Sequence, residues 1–202
     1  MITIVDYGLG NIAAFLNMYK RMGIPALAAK SAGELADASR IILPGVGAFD
    51  YAMNLLNGSG MRDTLEKKVA DGTPLLGVCV GMQILTERSD EGAGPGLGWI
   101  PGSTRAIAGR TNREILPLPH MGWNDVAPAA SLPLFDDIDE QLRFFFLHSF
   151  YVDCEPEYVA ATTGYGFDFA CAVRRDNICG VQFHPEKSHH FGAGLLRNFA
   201  EA

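Results

Sequence analysis

Cys79 stands in the pentapeptide Gly77-Val78-Cys79-Val80-Gly81, preceded by the apolar run Pro74-Leu75-Leu76. A strand, a Gly-x-nucleophile-x-Gly turn and a helix form a nucleophile elbow, whose glycines let neighbouring backbone pass where a Cβ would clash. A thiol at a helix N-terminus sits in a positive field that favours the thiolate. Taken alone, the pentapeptide reads equally well as a buried structural cysteine between two glycines. A second segment decides between the two. Near the C-terminus, Gly180-Val181-Gln182-Phe183 delivers His184, and Glu186 follows two residues later. A cysteine nucleophile needs a base to manage its proton and a third group to orient that base. Pro185 stiffens the link and favours an extended His184, so Glu186 can reach the imidazole nitrogen facing away from sulfur. Cys79 and His184 are far apart in sequence, so only the fold can join them.

An elbow needs a parallel sheet. The reading predicts strands over Ile2–Val5, Ile24–Ala28, Arg40–Leu43 (stopping at Pro44-Gly45) and Leu75–Val78. Between them it predicts helices over Ile12–Met22, Glu34–Ala38 and residues 49–70, the last broken at Asn57-Gly58-Ser59-Gly60. In the first helix Ile12, Phe15, Leu16 and Tyr19 share a face, and Gly23 ends it. The elbow helix is expected to continue from Met82 to Arg88. Alternating strands and helices argue for a parallel α/β sheet covered by helices on both faces. The second half is richer in strands. After a Gly/Pro-rich loop at 91–102 come Arg113–Leu118, Phe144–Val152, Tyr158–Thr163, Phe169–Val173 and Ile178–Phe183, with a hairpin turn at Arg174-Arg175-Asp176-Asn177 and a last helix through Gly194–Phe199.

Composition sets the bounds. The 202 residues are 48% hydrophobic, which suits one domain spanning 1–202 with a sizeable core. Sixteen Lys and Arg against 23 Asp and Glu leave a net charge of −7 without a basic cluster, a poor match for nucleic acid or an anionic membrane. Of the four cysteines, Cys154, Cys171 and Cys179 lie in apolar, strand-like runs where a free thiol is usually buried filler. There is no C-x-x-C pair, so no metal site is expected. The chain opens on a strand, without a basic segment leading into an apolar one, and no apolar run reaches about 18 residues. The expected setting is a reducing cytoplasm.

Two glycine loops need separate treatment. Gly8-Leu9-Gly10-Asn11-Ile12-Ala13 matches the dinucleotide fingerprint G-x-G-x-x-G/A. The acidic residue that a ribose needs is missing from the end of the second strand, where Lys30 and Ser31 stand instead. These glycines are read as shaping a loop that presents Asn11, and no cofactor is expected. Pro44-Gly45-Val46-Gly47 follows the third strand. Attack on a carbonyl creates an oxyanion that needs two preorganised donors. The reading assigns one to the Val80 N–H and the other to this loop, at Val46 or Gly47, where glycines let a peptide plane rotate.

The elbow Gly77–Gln83 and His184-Pro185-Glu186 together resemble the class I glutamine amidotransferases, Cys-His-Glu enzymes that hydrolyse the side-chain amide of glutamine. Within them the chain is similar to the glutaminase subunits that pass ammonia to a (β/α)8-barrel cyclase in histidine biosynthesis. Asp6–Asn11, Pro44–Phe49, Pro119–Asn124, Phe146–Tyr151 and His184–Ser188 carry this likeness in order along nearly the whole chain. The resemblance implies a flavodoxin-like, mostly parallel central sheet flanked by helices, with added strands in the second half. It implies catalytic Cys79, His184 and Glu186, and no metal or organic cofactor. It implies a glutamine site using Gln83 and the backbone near Gly47, Ser149 and Phe150. Phe150 stands where the family often has tyrosine, so its ring is given no contact. Finally, it implies a heterodimer in which Asn11, Met121, Trp123 and Lys187 meet the barrel. A resting subunit would then point a peptide N–H at Gly45–Val46 or Val46–Gly47 away from the oxyanion site, and partner and cyclase ligand would favour the flipped state. Other readings are the glutaminase subunit that feeds pyridoxal phosphate synthesis, a cysteine peptidase or thiol stress protein on the same elbow, and a binding module without turnover.

Overall fold

The computed structural model describes residues 1–110, 116–129 and 132–202. Five strands form the framework of the site: β1 (Ile2–Val5), β2 (Ala26–Ala29), β3 (Arg40–Gly45), β4 (Leu75–Cys79) and, from the far end of the chain, β13 (Ile178–Val181). They lie in the order β2-β1-β3-β4-β13, all parallel. Each is short, and all but the edge strand β2 are almost continuously buried, as parallel strands covered on both faces must be. The intervening helices are α1 (Ile12–Met22), α2 (Ala32–Ala36), α3 (Phe49–Gly58), α4 (Arg62–Ala70) and α5 (Val80–Gln83). The step β1→β2 runs one way across the sheet and β2→β3 the other. Right-handed crossovers therefore put α1 and α2 on opposite faces. There α1 packs against the C-terminal α6 (His189–Glu201), and α2 against α4.

Beyond β13 the sheet turns antiparallel and then adds a short parallel pair. It continues through β12 (Asp168–Arg175), β10 (Phe150–Cys154), β6 (Gly102–Ala106) and β5 (Arg88–Ser89). β11 (Val159–Gly164) pairs with β12 and with the two-residue β8 (Ala127–Pro128). A separate antiparallel ribbon joins β7 (His120–Asp125) to β9 (Arg143–His148) and pairs His120 directly with His148.

The structure follows most of the expected elements and departs from them in five places. β3 runs on through Pro44 and Gly45. Pairing to β1 ends at Ile42, so Pro44, which lacks an N–H, disrupts no bond on that side. The elbow helix is a single turn, not a run to Arg88. The carbonyls of Ile84, Leu85, Thr86 and Glu87 are taken by N–H groups of Leu97, Trp99, Ile100, Gly98 and Gly96, so the Gly/Pro-rich loop replaces the next helical turn. The last helix starts earlier, at His189. Of the strand expected over Arg113–Leu118, residues 113–115 lie outside the described residues, and Leu116–Leu118 are not strand. The expected single strand Phe144–Val152 is two strands, β9 and β10, which part at Ser149.

Candidate active site

Three neighbouring strands deliver the site at their carboxyl ends, where open α/β sheets bind ligands. β4 ends on Cys79, the loop after β3 supplies Val46 and Gly47, and the chain leaving β13 reaches His184. Gly45 lies opposite Cys79 and Val181 opposite Val78. The elbow is tight. Cys79 has φ 56° and ψ −114°, a region that costs a non-glycine residue about 1–3 kcal/mol. Gly81 is fixed by contact rather than by φ, since a Cβ there would fall 1.9 Å from the Leu43 carbonyl oxygen. The turn can form only because backbone lies directly on backbone at this point.

His184 and Glu186 are each 3% exposed at the side chain, with Nδ1 2.8 Å from Oε1. His184 has the extended conformation expected before a proline, φ −103° and ψ 94°. Burial alone would pull the imidazole pKa down. The hydrogen bonds and charges of Cys79 and Glu186 outweigh it and hold the group at about 9. The structure thus brings the thiol, base and carboxylate of the sequence reading together, in a setting that favours the imidazolium form of His184. Glu186 Oε2 is buried without a hydrogen-bond partner, so the carboxylate's capacity is directed at the histidine. Ser188 was not singled out from sequence. It is fully buried, donates Oγ–H to the His184 carbonyl at 2.6 Å and accepts the Phe145 N–H at 3.0 Å, and so pins the histidine segment to β9.

A cavity of about 300 Å³ opens over the sulfur. Its wall includes Val46, Gly47, Val80, Gln83, Ser149, Phe150 and Lys187, along with Cys79 and His184. All four proposed substrate-binding residues and all three proposed oxyanion residues therefore face one space. Gly47 has φ +90° and no atoms crowding its Cβ position, so the loop at Val46–Gly47 needs glycine for conformation alone. Glu91, missed from sequence, also lines the cavity, and its Oε2 accepts the Phe49 N–H at 2.8 Å. It sits in the Gly/Pro-rich loop, where no local pattern distinguishes it from other surface carboxylates.

The glycine turn that mimics a dinucleotide fingerprint has a structural task. A Cβ on Gly10 would fall 2.6 Å from Pro44 Cβ, so this turn lies against the Pro44–Gly47 loop. Tyr7, also missed from sequence, donates its hydroxyl to the Pro44 carbonyl at 2.8 Å. Burial, and then the nearby Cys79 charge, raise the phenol's pKa far above its ordinary value, so it remains a donor. Tyr7→Phe should leave that carbonyl without its partner and lower stability by about 1 kcal/mol, a fall of about 2–4 °C in a thermal melt.

The four proposed docking residues divide. Lys187 lies on the cavity wall, whereas Asn11, Met121 and Trp123 do not. Asn11 is exposed and caps α1 by accepting the Ala14 N–H. Met121 is 67% and Trp123 39% exposed. The Trp123 ring stacks on His189 at 5.4 Å, so this tryptophan is not a core residue. On the inner side of the same strand His120 is sandwiched between Phe146 and Tyr165. Its Nδ1 lies 2.9 Å from His148 Nε2, and His148 Nδ1 lies 2.7 Å from the Phe150 carbonyl. Burial lowers both imidazoles, His120 to about 4 and His148 to about 3, so the pair is neutral at physiological pH. Among the described residues no cluster of His, Cys, Asp and Glu could hold a metal, and no helix is long and apolar enough to cross a membrane.

Comparison with known proteins agrees with this geometry. The family model for glutamine amidotransferase class-I matches residues 7–202. The imidazole glycerol phosphate synthase subunit HisH of Bdellovibrio bacteriovorus is 57% identical, and the alignment covers all of both chains. The subunit HisH 2 of Pseudomonas aeruginosa is 48% identical over 100% of this chain and 99% of its own. Among solved structures, a crystal structure of a glutamine amidotransferase superposes with a TM-score of 0.74 at 20% identity, covering 99% of this chain and 97% of the other. PurLQS from Thermotoga maritima superposes equally well at 17% identity, with the same coverage. These two likenesses speak for the fold, and the flavodoxin-like order of the parallel strands agrees with them. A family match over almost the whole chain, on a sheet with a cysteine elbow facing a buried His-Glu pair, makes this protein a member of the class I glutamine amidotransferases.

Proposed function

We propose that the chain is the glutaminase subunit of an imidazole glycerol phosphate synthase, releasing ammonia from L-glutamine for a partner cyclase with a (β/α)8 barrel. The observation that carries this reading is the cavity that joins Cys79, His184 and the Val46–Gly47 loop, in a chain 57% identical to such a subunit over its full length. The Cys79 thiolate attacks the carboxamide carbon and forms the C–S bond. The oxyanion is received by the Val80 N–H, which as the first residue of α5 has no intrahelical acceptor, and by a peptide N–H at Val46 or Gly47. His184, charged and oriented by Glu186, gives its proton to the leaving nitrogen, and ammonia departs with the C–N bond electrons. Water then loses a proton to His184 as it attacks the thioester, and breaking the C–S bond releases glutamate. Gln83 and the backbone at Gly47, Ser149 and Phe150 hold the amino-acid end. Glu91 supplies a carboxylate that suits its ammonium group.

Asn11, Met121, Trp123 and Lys187 form the docking face, and the partner turns the oxyanion peptide into its active orientation. A reducing cytoplasm suits the thiol. Glutamate release from glutamine should be slow for the chain alone and rise about 100-fold with the cyclase and its nucleotide ligand. A response instead to the barrel of pyridoxal phosphate synthase would move the chain to that branch. Full activity without any partner would remove the gated oxyanion loop.

A further inference from the structure

The sulfur of Cys79 has two polar neighbours that act in opposite senses. The Leu147 carbonyl oxygen lies 3.9 Å from Sγ. It can accept a hydrogen bond from a thiol but opposes a thiolate. Gln182 Nε2 lies 3.7 Å from Sγ, and this glutamine is completely buried between β13 and His184. Whether it helps or hinders depends on which end of its amide faces the sulfur. An amide can be turned so that oxygen and nitrogen exchange places, and only the hydrogen-bond network fixes the choice.

Here the neighbours fix it. The Phe150 carbonyl can only accept, and it takes Nδ1–H from His148 at 2.7 Å and an N–H from Gln83 at 3.2 Å. Gln83 must therefore present its nitrogen. The second hydrogen of that nitrogen points to Gln182, whose Oε1 lies 3.1 Å away. With its oxygen held by Gln83, Gln182 must turn its own N–H toward Cys79. The reverse orientation would set two NH2 groups against each other and an oxygen against the sulfur. Donors to the charged form of a group favour that form, more strongly when no water competes.

We propose that Gln182 is the donor that stabilises the Cys79 thiolate against the Leu147 carbonyl, and that Gln83 is a positioning residue acting through it. This deepens the role given above to Gln83. Both hydrogens of its amide are committed, which leaves Oε1 as its polar atom for substrate. The proposal rests on Cys79 being the nucleophile, but its test needs neither glutamine nor a partner.

The test is the pH profile of Cys79 alkylation by iodoacetamide in the full chain, with the Cys79 peptide quantified by mass spectrometry apart from Cys154, Cys171 and Cys179. Gln182→Met keeps the length of the side chain without a donor, and Gln182→Glu places an anion beside the sulfur. Each should move the rising limb about one pH unit upward and slow alkylation at neutral pH about tenfold. Gln83→Met frees Gln182 to turn and should move it the same way. The double variant Gln83→Met/Gln182→Met should move it no further than Gln182→Met alone. A folded Gln182→Met chain with the parental profile overturns the proposal, even if its glutaminase rate falls. Additive shifts in the double variant overturn the role of Gln83. If Gln182→Met does not fold, an unmoved profile in Gln83→Met overturns the proposal instead. Shifted profiles alongside a parental chain that releases no glutamate even with the cyclase and its nucleotide ligand would refute the glutaminase reading and leave this one standing.

Discussion

Cys79→Ala is expected to reduce glutamate release by about 10⁴-fold or more, because among the described residues no other thiol lines the cavity and triad members act as a unit. Binding of the partner subunit should be unchanged, since Cys79 is buried and Met121 and Trp123 lie outside its cavity. That pair of results separates a catalyst from a scaffold. The same position gives a second readout. Alanine retains a Cβ at φ 56°, so Cys79→Ala keeps the strain of the elbow, while Cys79→Gly releases it. Strain relief of about 1–3 kcal/mol is partly offset by about 1 kcal/mol of extra freedom for glycine in the unfolded chain. The glycine variant should therefore melt about 2–4 °C above the alanine variant. Equal melting temperatures would mean that the strain does not exceed the roughly 1 kcal/mol that the glycine's freedom costs. A glutaminase rate in Cys79→Ala within tenfold of the parent would refute the thioester route.

The residues that could be read from sequence are those whose chemistry and local pattern coincide. Cys79 is flanked by glycines at fixed spacing, and His184 is followed by a proline and a carboxylate. The parallel half of the sheet was equally plain, because buried strands of four to six residues alternate with amphipathic helices. What stayed hidden depends on contacts between distant segments. The elbow helix looked long because Ile84 and Leu85 continue its apolar pattern, but their carbonyls are claimed by residues 97, 99 and 100. Tyr7 carries no local signal beside its glycine turn, and its hydroxyl matters only because the Pro44 carbonyl accepts it. Gln182 lies just past the apolar strand β13, and its orientation is set by Gln83, nearly a hundred residues away in sequence. Trp123 was ambiguous for the opposite reason. Its composition suggests a core position, and only the alternation of β7 turns it outward while His120 and Asn124 face the interior side.

Glu186→Gln should leave the triad's shape nearly intact and remove its charge. With Nδ1 only 2.8 Å from Oε1 and both side chains buried, the carboxylate both orients His184 and favours its protonated form. A glutamine that turns its NH2 group toward Nδ1 would select the wrong tautomer, the effect behind losses of about 10⁴-fold when the acid of a catalytic triad is replaced by its amide. Glutamate release should fall by about 10²–10⁴-fold, mainly in kcat, because Glu186 does not line the substrate cavity. The sign of the accompanying stability change follows from the histidine. Burial lowers the His184 pKa, but the hydrogen bonds and charges of Cys79 and Glu186 outweigh it and raise the group to about 9, above its ordinary 6.5. The folded state therefore holds a proton that the unfolded chain releases. The stabilisation is complete below about pH 6.5 and disappears as pH rises through about 9. In the parent, denaturant midpoints should fall across that interval. In Glu186→Gln the fall should shrink and move to lower pH, because one of the two groups that hold the proton is gone. Two parallel curves between pH 6 and 10 would mean that Glu186 orients the imidazole without charging it, and the proton for the leaving ammonia would then have to be held by Cys79 alone.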